Sequence, residues 1–363
     1  MVKRYISGSR DGLRASIPIK WGMVVLLAFI FLFVGLGGIQ AVANDTSGTA
    51  CPSAAPGSSH SISSSNQIEA AVIPGLDGKR VLFIHEGSTA EGSISNTNWD
   101  GYSKIATFLR NQGCEIEQKN LNPITANDLS GYDVVVFSNG WKNRLISNDE
   151  AQVVVEYVYN GGGLYLMTEL GVPSWINCNN SANKIGSYMG IQFDSGVICD
   201  DVNYQYHSSD PDGGVDLPLI TNIASHDVTK NVGTFTINWG SSITVSSPAQ
   251  VLAYSGPESW LDTNAYYNSG GYLVCSHDSN ESRGARPVLA VCRYGLGKVV
   301  ALGDKSSLVN AWVDDYDHYN LICNILCWLS PENLFTMTPA NPVAGQTVTF
   351  DASYAYDPDG IVV

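Results

Sequence analysis

Groups able to do proton chemistry stand at the ends of apolar runs in this sequence. The stretch GGGLYLMTELG, residues 161–171, is a short apolar strand that leaves three glycines and ends on Glu169. RVLFIHE, residues 80–86, ends on His85 and Glu86; DVVVFSNGW, residues 133–141, carries Asn139 and Trp141 at its end; VVALGDK, residues 299–305, runs into Asp304. In open α/β sheets ligands sit beyond the carboxyl ends of the strands, so these groups are expected around one crevice. Glu86, Asn139, Trp141, Glu169 and Asp304 are the candidate ligand-binding residues, and Glu169, Glu86 and His85 the candidates for catalysis. Two carboxylates, a histidine and an aromatic wall can bind a sugar or a cation, or act as general acid and base if their surroundings separate their pKa values. The plainer expectation for Glu169 is a structural acid that accepts backbone hydrogen bonds at a loop or helix start.

The elements that must position these residues alternate. Arg80–His85 has the continuous apolar character of a strand buried on both faces. Residues 99–111 place Tyr102, Ile105, Ala106 and Leu109 at helical spacing, with Gly113 as a stop. Strands are expected over 114–118, 133–138 and 164–168, and a helix over 149–159 capped by Ser147 or Asn148. This rhythm predicts a mainly parallel sheet with helices on both faces. After a helix over 181–190 the pattern changes to a β-rich excursion, with strands over 197–206 and 233–245. Strands over 249–254, 272–277, 288–294 and 298–302 follow, with Gly295-Leu296-Gly297 as a tight hairpin, and a helix over 316–329 closes the domain. The glycines of that hairpin predict no phosphate loop, because strands flank them.

Composition and targeting signals bound the function. The 363 residues carry 19 Lys and Arg against 34 Asp and Glu, and a net charge of −15 opposes nucleic-acid binding. Lys3, Arg4, Arg10, Arg14 and Lys20 precede an apolar run over 21–39, followed by Ala41-Val42-Ala43. Residues 1–43 are therefore expected to be a signal peptide or, if uncut, an N-terminal membrane anchor that contacts the bilayer. Residues 44–78 read as a Ser/Gly/Pro-rich linker. An exported chain permits disulfides, and the pairs expected are Cys178 with Cys199 and Cys275 with Cys292. Cys323 and Cys327, four apart on a helix, suit a buried face better than a mutual bridge. No C-x-x-C pair occurs and the six histidines are scattered, so spacing predicts no structural zinc site. Trp239, Trp260, Tyr266 and Tyr267, with Asp262 and Asn264, make either an aromatic sugar platform or ordinary filling of the excursion.

Taken in order, RVLFIHEG, DVVVFSNG, GGGLYLMTE, ANKIGSYMGIQF, SHDVTKNVG, RYGLGKVVALGDKS and NILCWL resemble the class I glutamine amidotransferase-like superfamily, in its extracytoplasmic and intraflagellar-transport-type branch. The likeness covers about residues 79–330. It implies a flavodoxin-like α/β core and, in the enzymes of the superfamily, a nucleophilic cysteine on the sharp turn after a central strand. Here that turn reads Thr168-Glu169-Leu170-Gly171, without cysteine, and Cys178 follows nine residues after Glu169. Glutamine hydrolysis is accordingly not expected. His226, in the family's recurrent turn SHDVT, is expected to organise its loop.

Residues 335–363, FTMTPANPVAGQTVTFDASYAYDPDGIVV, resemble the opening of a polycystic-kidney-disease (PKD)-type β-sandwich, an incomplete domain over 331–363. Asp351, Asp357 and Asp359 could join a calcium site if other strands supplied further oxygen ligands; no other cofactor is expected. The combined reading is a secreted or cell-surface protein that recognises polysaccharide or a protein partner without catalysis. The competing reading is a hydrolase of extracellular glycans or peptides that uses the carboxylate and histidine crevice.

Overall fold

Alternation along the strands explains the layers of the domain. In the computed structural model, Val81 and Phe83 of β1 (Arg80–His85) point to one core cluster, and Leu82 and Ile84 to another on the opposite face. The same split recurs in β3 (Val134–Phe137), where Val134 and Val136 oppose Val135 and Phe137. It recurs again in β4 (Gly163–Met167), where Tyr165 and Met167 oppose Leu164 and Leu166. A strand apolar on both sides needs cover on both sides, and helices supply it. The structure describes residues 73, 75–85, 91–138, 144–173, 176–206, 214–269, 273–331, 336–338, 343 and 345–351.

The remaining strands of the main sheet are β2 (Glu115–Asn120), β5 (Asn222–Ile223), β6 (Gln250–Tyr254), β7 (Pro287–Tyr294) and β8 (Gly297–Leu302). The strand order is β2-β1-β3-β4-β8-β7-β6-β5. The first five are mutually parallel, and the last three extend the sheet antiparallel. This is a flavodoxin-like arrangement, with chain order reversing between β1 and β3, and ligand crevices form at such switch points. Helices α1 (Ser103–Asn111) and α5 (His318–Leu329) cover one face. Helices α2 (Ala126–Leu129), α3 (Asn148–Tyr159) and α4 (Ile176–Gly186) cover the other. α5 packs so near the sheet that a Cβ on Gly163 would stand 2.5 Å from the Leu329 carbonyl oxygen, so only glycine fits there.

Two expectations shift. The third large helix starts at Ile176 instead of 181 and ends at Gly186, with a 3₁₀ turn over Ser187–Met189 before Gly190 at φ 73°. Polar Asn177, Asn179 and Asn180 hide its beginning in the sequence, yet Asn179 is buried and its side-chain amide donates to the Asp194 carbonyl at 2.7 Å. The excursion is made of shorter strands than 197–206 and 233–245 suggest: Ile191–Phe193 pairs with Ile243–Val245, Val197–Cys199 with Trp260–Asp262, Leu219–Ile220 with Phe235–Thr236, and Tyr266–Tyr267 with Leu273–Val274. The hairpin at Gly295-Leu296 is as expected, with Tyr294 opposite Gly297.

The chain divides into two units, 1–65 and 66–363. The first, with the expected export segment and most of the linker, lies outside the described residues. Among the described residues no helix is long and apolar enough to cross a membrane. At the other end Thr336–Thr338 pairs antiparallel with Thr349–Asp351. Asp351 thus lies on a strand, while Asp357 and Asp359 fall outside the described residues.

Candidate functional site at the carboxyl ends of the parallel strands

The sheet brings the ends of β1, β4 and β8 together, and with them a buried charge network. Glu169, two residues beyond β4, is 3 % exposed, and Lys305, three beyond β8, is equally buried. Lys305 Nζ stands 2.9 Å from Glu169 Oε2 and 2.8 Å from Glu91 Oε1, so one ammonium holds two carboxylates. His85, at the tip of β1 and also buried, is fixed through Nε2 at 2.8 Å from the Glu91 carbonyl oxygen. The Asp304 carboxylate accepts from the backbone N–H of Asn238 at 2.7 Å and of Ser306 at 2.8 Å, which ties the end of β8 to the excursion. Thr168, just before Glu169, donates its hydroxyl hydrogen to the side-chain oxygen of Asn179 on α4.

Burial dominates the electrostatics. It pushes the Glu169 carboxyl up to about 8 against the pull of Lys305, and Asp304 and Glu91 push the same way. Asp304 rises to about 6 for the same first reason, opposed by its two backbone donors. Burial would lower Lys305, but Glu169, Tyr102 and Glu91 outweigh it and hold the ammonium above its ordinary range. Tyr102, fully buried beside Lys305 and Ser138, is raised by burial. Near neutral pH the cluster is therefore one ammonium, with Glu169 retaining much of its proton. Lys305 takes the place that a cation would occupy between Glu91 and Glu169.

The turn after β4 lacks the form of a nucleophile elbow. Such an elbow holds its central residue in a strained conformation and starts a helix at once, which presents backbone N–H groups to an oxyanion. Among the described residues the non-glycines with positive φ are Asn231, Trp239 and Tyr316, and Glu169 is not one of them. α4 begins only at Ile176. Gly171 instead hydrogen-bonds to the Gly196 carbonyl at 3.0 Å, with backbone so near that a Cβ would meet Gly196 N at 2.3 Å. Cys178 is on α4, buried with Leu170, Val172 and Val197.

Of the residues singled out in the sequence, His85, Glu169 and Asp304 are brought together and sealed; Glu86, Asn139 and Trp141 lie outside the described residues. Glu91 and Lys305 were missed. Lys305 is the neighbour of Asp304 at a strand end, a signal that was present; Glu91 sits in a loop without periodicity and joins the site only through the fold. His226 organises its loop as expected, its Nδ1 accepting from Val228 N at 3.1 Å. The four aromatics do not make one platform: Trp260 is buried, whereas Tyr266 and Tyr267 are exposed. Of the two expected cysteine pairs, one is divided between two cores. Cys292 belongs to the core cluster on the α3 face of the sheet and Cys275 to the separate core of the excursion, so these two do not meet. Cys178 and Cys199 share one core, in which the Cys199 thiol also meets that of Cys275.

No known protein-family profile and no curated protein matches the chain. Solved structures do. The mmIFT52 N-terminal domain matches with TM-score 0.52 at 18 % identity, covering 69 % of this chain and 97 % of that one. The cytoplasmic protein STM1381 from Salmonella typhimurium LT2 matches with TM-score 0.45 at 16 % identity, over 69 % and 99 %. A ThuA-like protein from Bacteroides uniformis matches with TM-score 0.41 at 14 % identity, over 72 % and 94 %. At these identities the first likeness shows the fold alone, which is the α/β class that the strand order defines.

Proposed function

We propose that the α/β domain is a non-catalytic recognition module of the amidotransferase-like type, carried by an exported, secreted or membrane-anchored protein, and that it binds cell-surface polysaccharide or a protein partner. The observation that carries this reading is the Glu169–Lys305–Glu91 network. Where an amidotransferase exposes a thiolate, this chain buries a neutralised ion cluster that closes the floor of the crevice. A buried cluster of this kind fixes neighbouring elements relative to one another. The hydrolase alternative is less well supported, because glycosidase carboxylates flank an open site about 5 to 10 Å wide and not a lysine. Recognition would then fall to the rim, where the sequence places Asn139 and Trp141. The PKD-like tail, with any calcium held at Asp351, Asp357 and Asp359, belongs to the same proposal as a spacer or adhesive repeat, and disulfides remain part of the exported reading.

Two measurements test it. Full-length protein incubated with glutamine should release no ammonia above the blank, and a panel of glycosides and peptides should remain uncleaved. On an array of surface polysaccharides or against surface-protein extracts, a ligand should be retained by wild type and lost on Trp141→Ala or Asn139→Ala. Turnover that vanishes in Glu169→Gln while the fold persists would refute the reading.

A further inference from the structure

Outside the strand-end site, the excursion contains a second cluster of ligating groups. Cys199 ends the strand Val197–Cys199 and lies opposite Trp260 in the register with Trp260–Asp262. Cys275 follows Leu273–Val274. The two sulfurs and a carboxylate oxygen of Asp262 all lie within 4.8 Å of one another, and all three residues are buried. We propose that Cys199, Cys275 and Asp262 bind one zinc-class divalent cation, which clips the excursion together.

Three observations carry the assignment. The ligands are preorganised: Asp262 Oδ1 accepts from Asn264 N at 2.8 Å and Oδ2 from Ser276 N at 2.7 Å, which aims the carboxylate and fixes the backbone next to Cys275. With a third backbone donor at Ala265, the carboxylate keeps one lone pair for a metal. The three donors also converge from separate segments, Cys199 and Asp262 from one paired ribbon and Cys275 from the end of another. Finally, the core around the site is small, centred on Leu170, Val172, Val197 and Trp260, and a structural ion supplies folding energy where a core is thin.

Mixed thiolate and carboxylate donors suit zinc, which takes four ligands. Binding is a ligand exchange without redox chemistry. Two S–H bonds break, two sulfur–metal bonds form, two protons leave to solvent, and Asp262 binds as the anion. The spacing 199, 262 and 275 has none of the close pairs by which such sites are read from a sequence, because β pairing assembles it.

The full chain, purified with zinc and without reductant or chelator, should carry one zinc per molecule by elemental analysis. Cobalt replacing it should give the near-ultraviolet band of thiolate-to-cobalt charge transfer. Cys199→Ser and Cys275→Ser should each abolish that band, and Asp262→Asn should weaken cobalt binding by about tenfold or more. Should the serine variants fail to fold, alkylation of the wild type decides: zinc should protect Cys199 and Cys275 from a thiol reagent, and a chelator should expose them. A metal-free wild type whose denatured form lacks two titratable thiols would mean a Cys199–Cys275 disulfide and would overturn the proposal. A metal-free wild type with all eight thiols titratable, unprotected by added zinc, would overturn it equally.

Discussion

Two glutamates in this domain have almost equally little exposure, Glu150 near the surface and Glu169 deep in the interior, and they behave in opposite ways. Glu150, in the first turn of α3, is 4 % exposed, and Glu169, beyond β4, is 3 % exposed. Glu150 accepts from both terminal nitrogens of Arg144, at 2.8 and 2.9 Å, from Ser147 N at 2.8 Å and from Ile124 N at 2.9 Å. Burial alone would raise it, but these donors overcome burial and hold its carboxyl at about 2. Glu169 has one ammonium, shared with Glu91, and two further acids nearby, so burial wins and its carboxyl rises to about 8. Depth of burial sets the cost of a charge, far greater for Glu169, and the number and ownership of donors decide whether the charge survives that cost. Glu150 is thus an anion that nucleates a helix, and Glu169 a partly protonated group inside a sealed network.

The contrast can be broken by mutation. Lys305→Met should have the largest effect, a loss of about 3–5 kcal/mol in urea unfolding, because the buried network would lose the one cation that Glu91 and Glu169 share. That loss follows mainly from Glu91 losing its cation and Glu169 its buried donor. Next, Glu150→Gln should cost about 3 kcal/mol at pH 7, as an ion pair and charge-assisted bonds are lost together. Glu169→Gln should cost clearly less at the same pH, because the native group already retains much of its proton. Equal losses for the two glutamine variants would mean that both carboxyls are charged alike.

The pH dependence sharpens the comparison. Glu169 is raised from an ordinary 4.5 to about 8, so its stabilisation is complete below about 4.5 and is lost as pH climbs towards and through 8. Asp304, raised from 3.8 to about 6, contributes the same sign over a lower window. Glu150 is depressed from 4.5 to about 2, so its contribution is present above 4.5 and is lost as pH falls to 2. Urea midpoints measured from pH 3 to 8.5 should therefore decline on both sides of a maximum near 4.5 as far as these groups are concerned. Glu169→Gln should flatten the alkaline limb and Glu150→Gln the acid limb. Smaller effects complete the series. Asp304→Asn should cost about 1–2 kcal/mol, since the amide keeps one acceptor for two backbone donors. Ser147→Ala should cost about 1 kcal/mol through its lost cap.

Much of the scaffold was legible because its signals are local. The runs at 80–85, 133–138 and 164–168 have strand length and apolar character on both faces, and Ser147 with Glu150 spells a capping box that the structure forms. The excursion was legible as β-rich but not in its boundaries, since strands of two or three residues leave too short a pattern to measure. α4 was misplaced for a related reason: Asn177, Asn179 and Asn180 look like loop residues, and the burial of Asn179 against Asp194 is what makes its turn helical core.

The sequence by itself determined the layered α/β plan, the ends of the strands where charged groups gather, and the glutamate after β4, because each of these depends on residues close together in the chain. The partners that give those groups their chemistry were decided by tertiary structure. Lys305 reaches Glu169 from another strand end and Glu91 joins through Lys305 from a loop, and Cys199, Asp262 and Cys275 meet from separate ribbons. Burial and donor count depend on all of these segments at once, and no window of the sequence contains them.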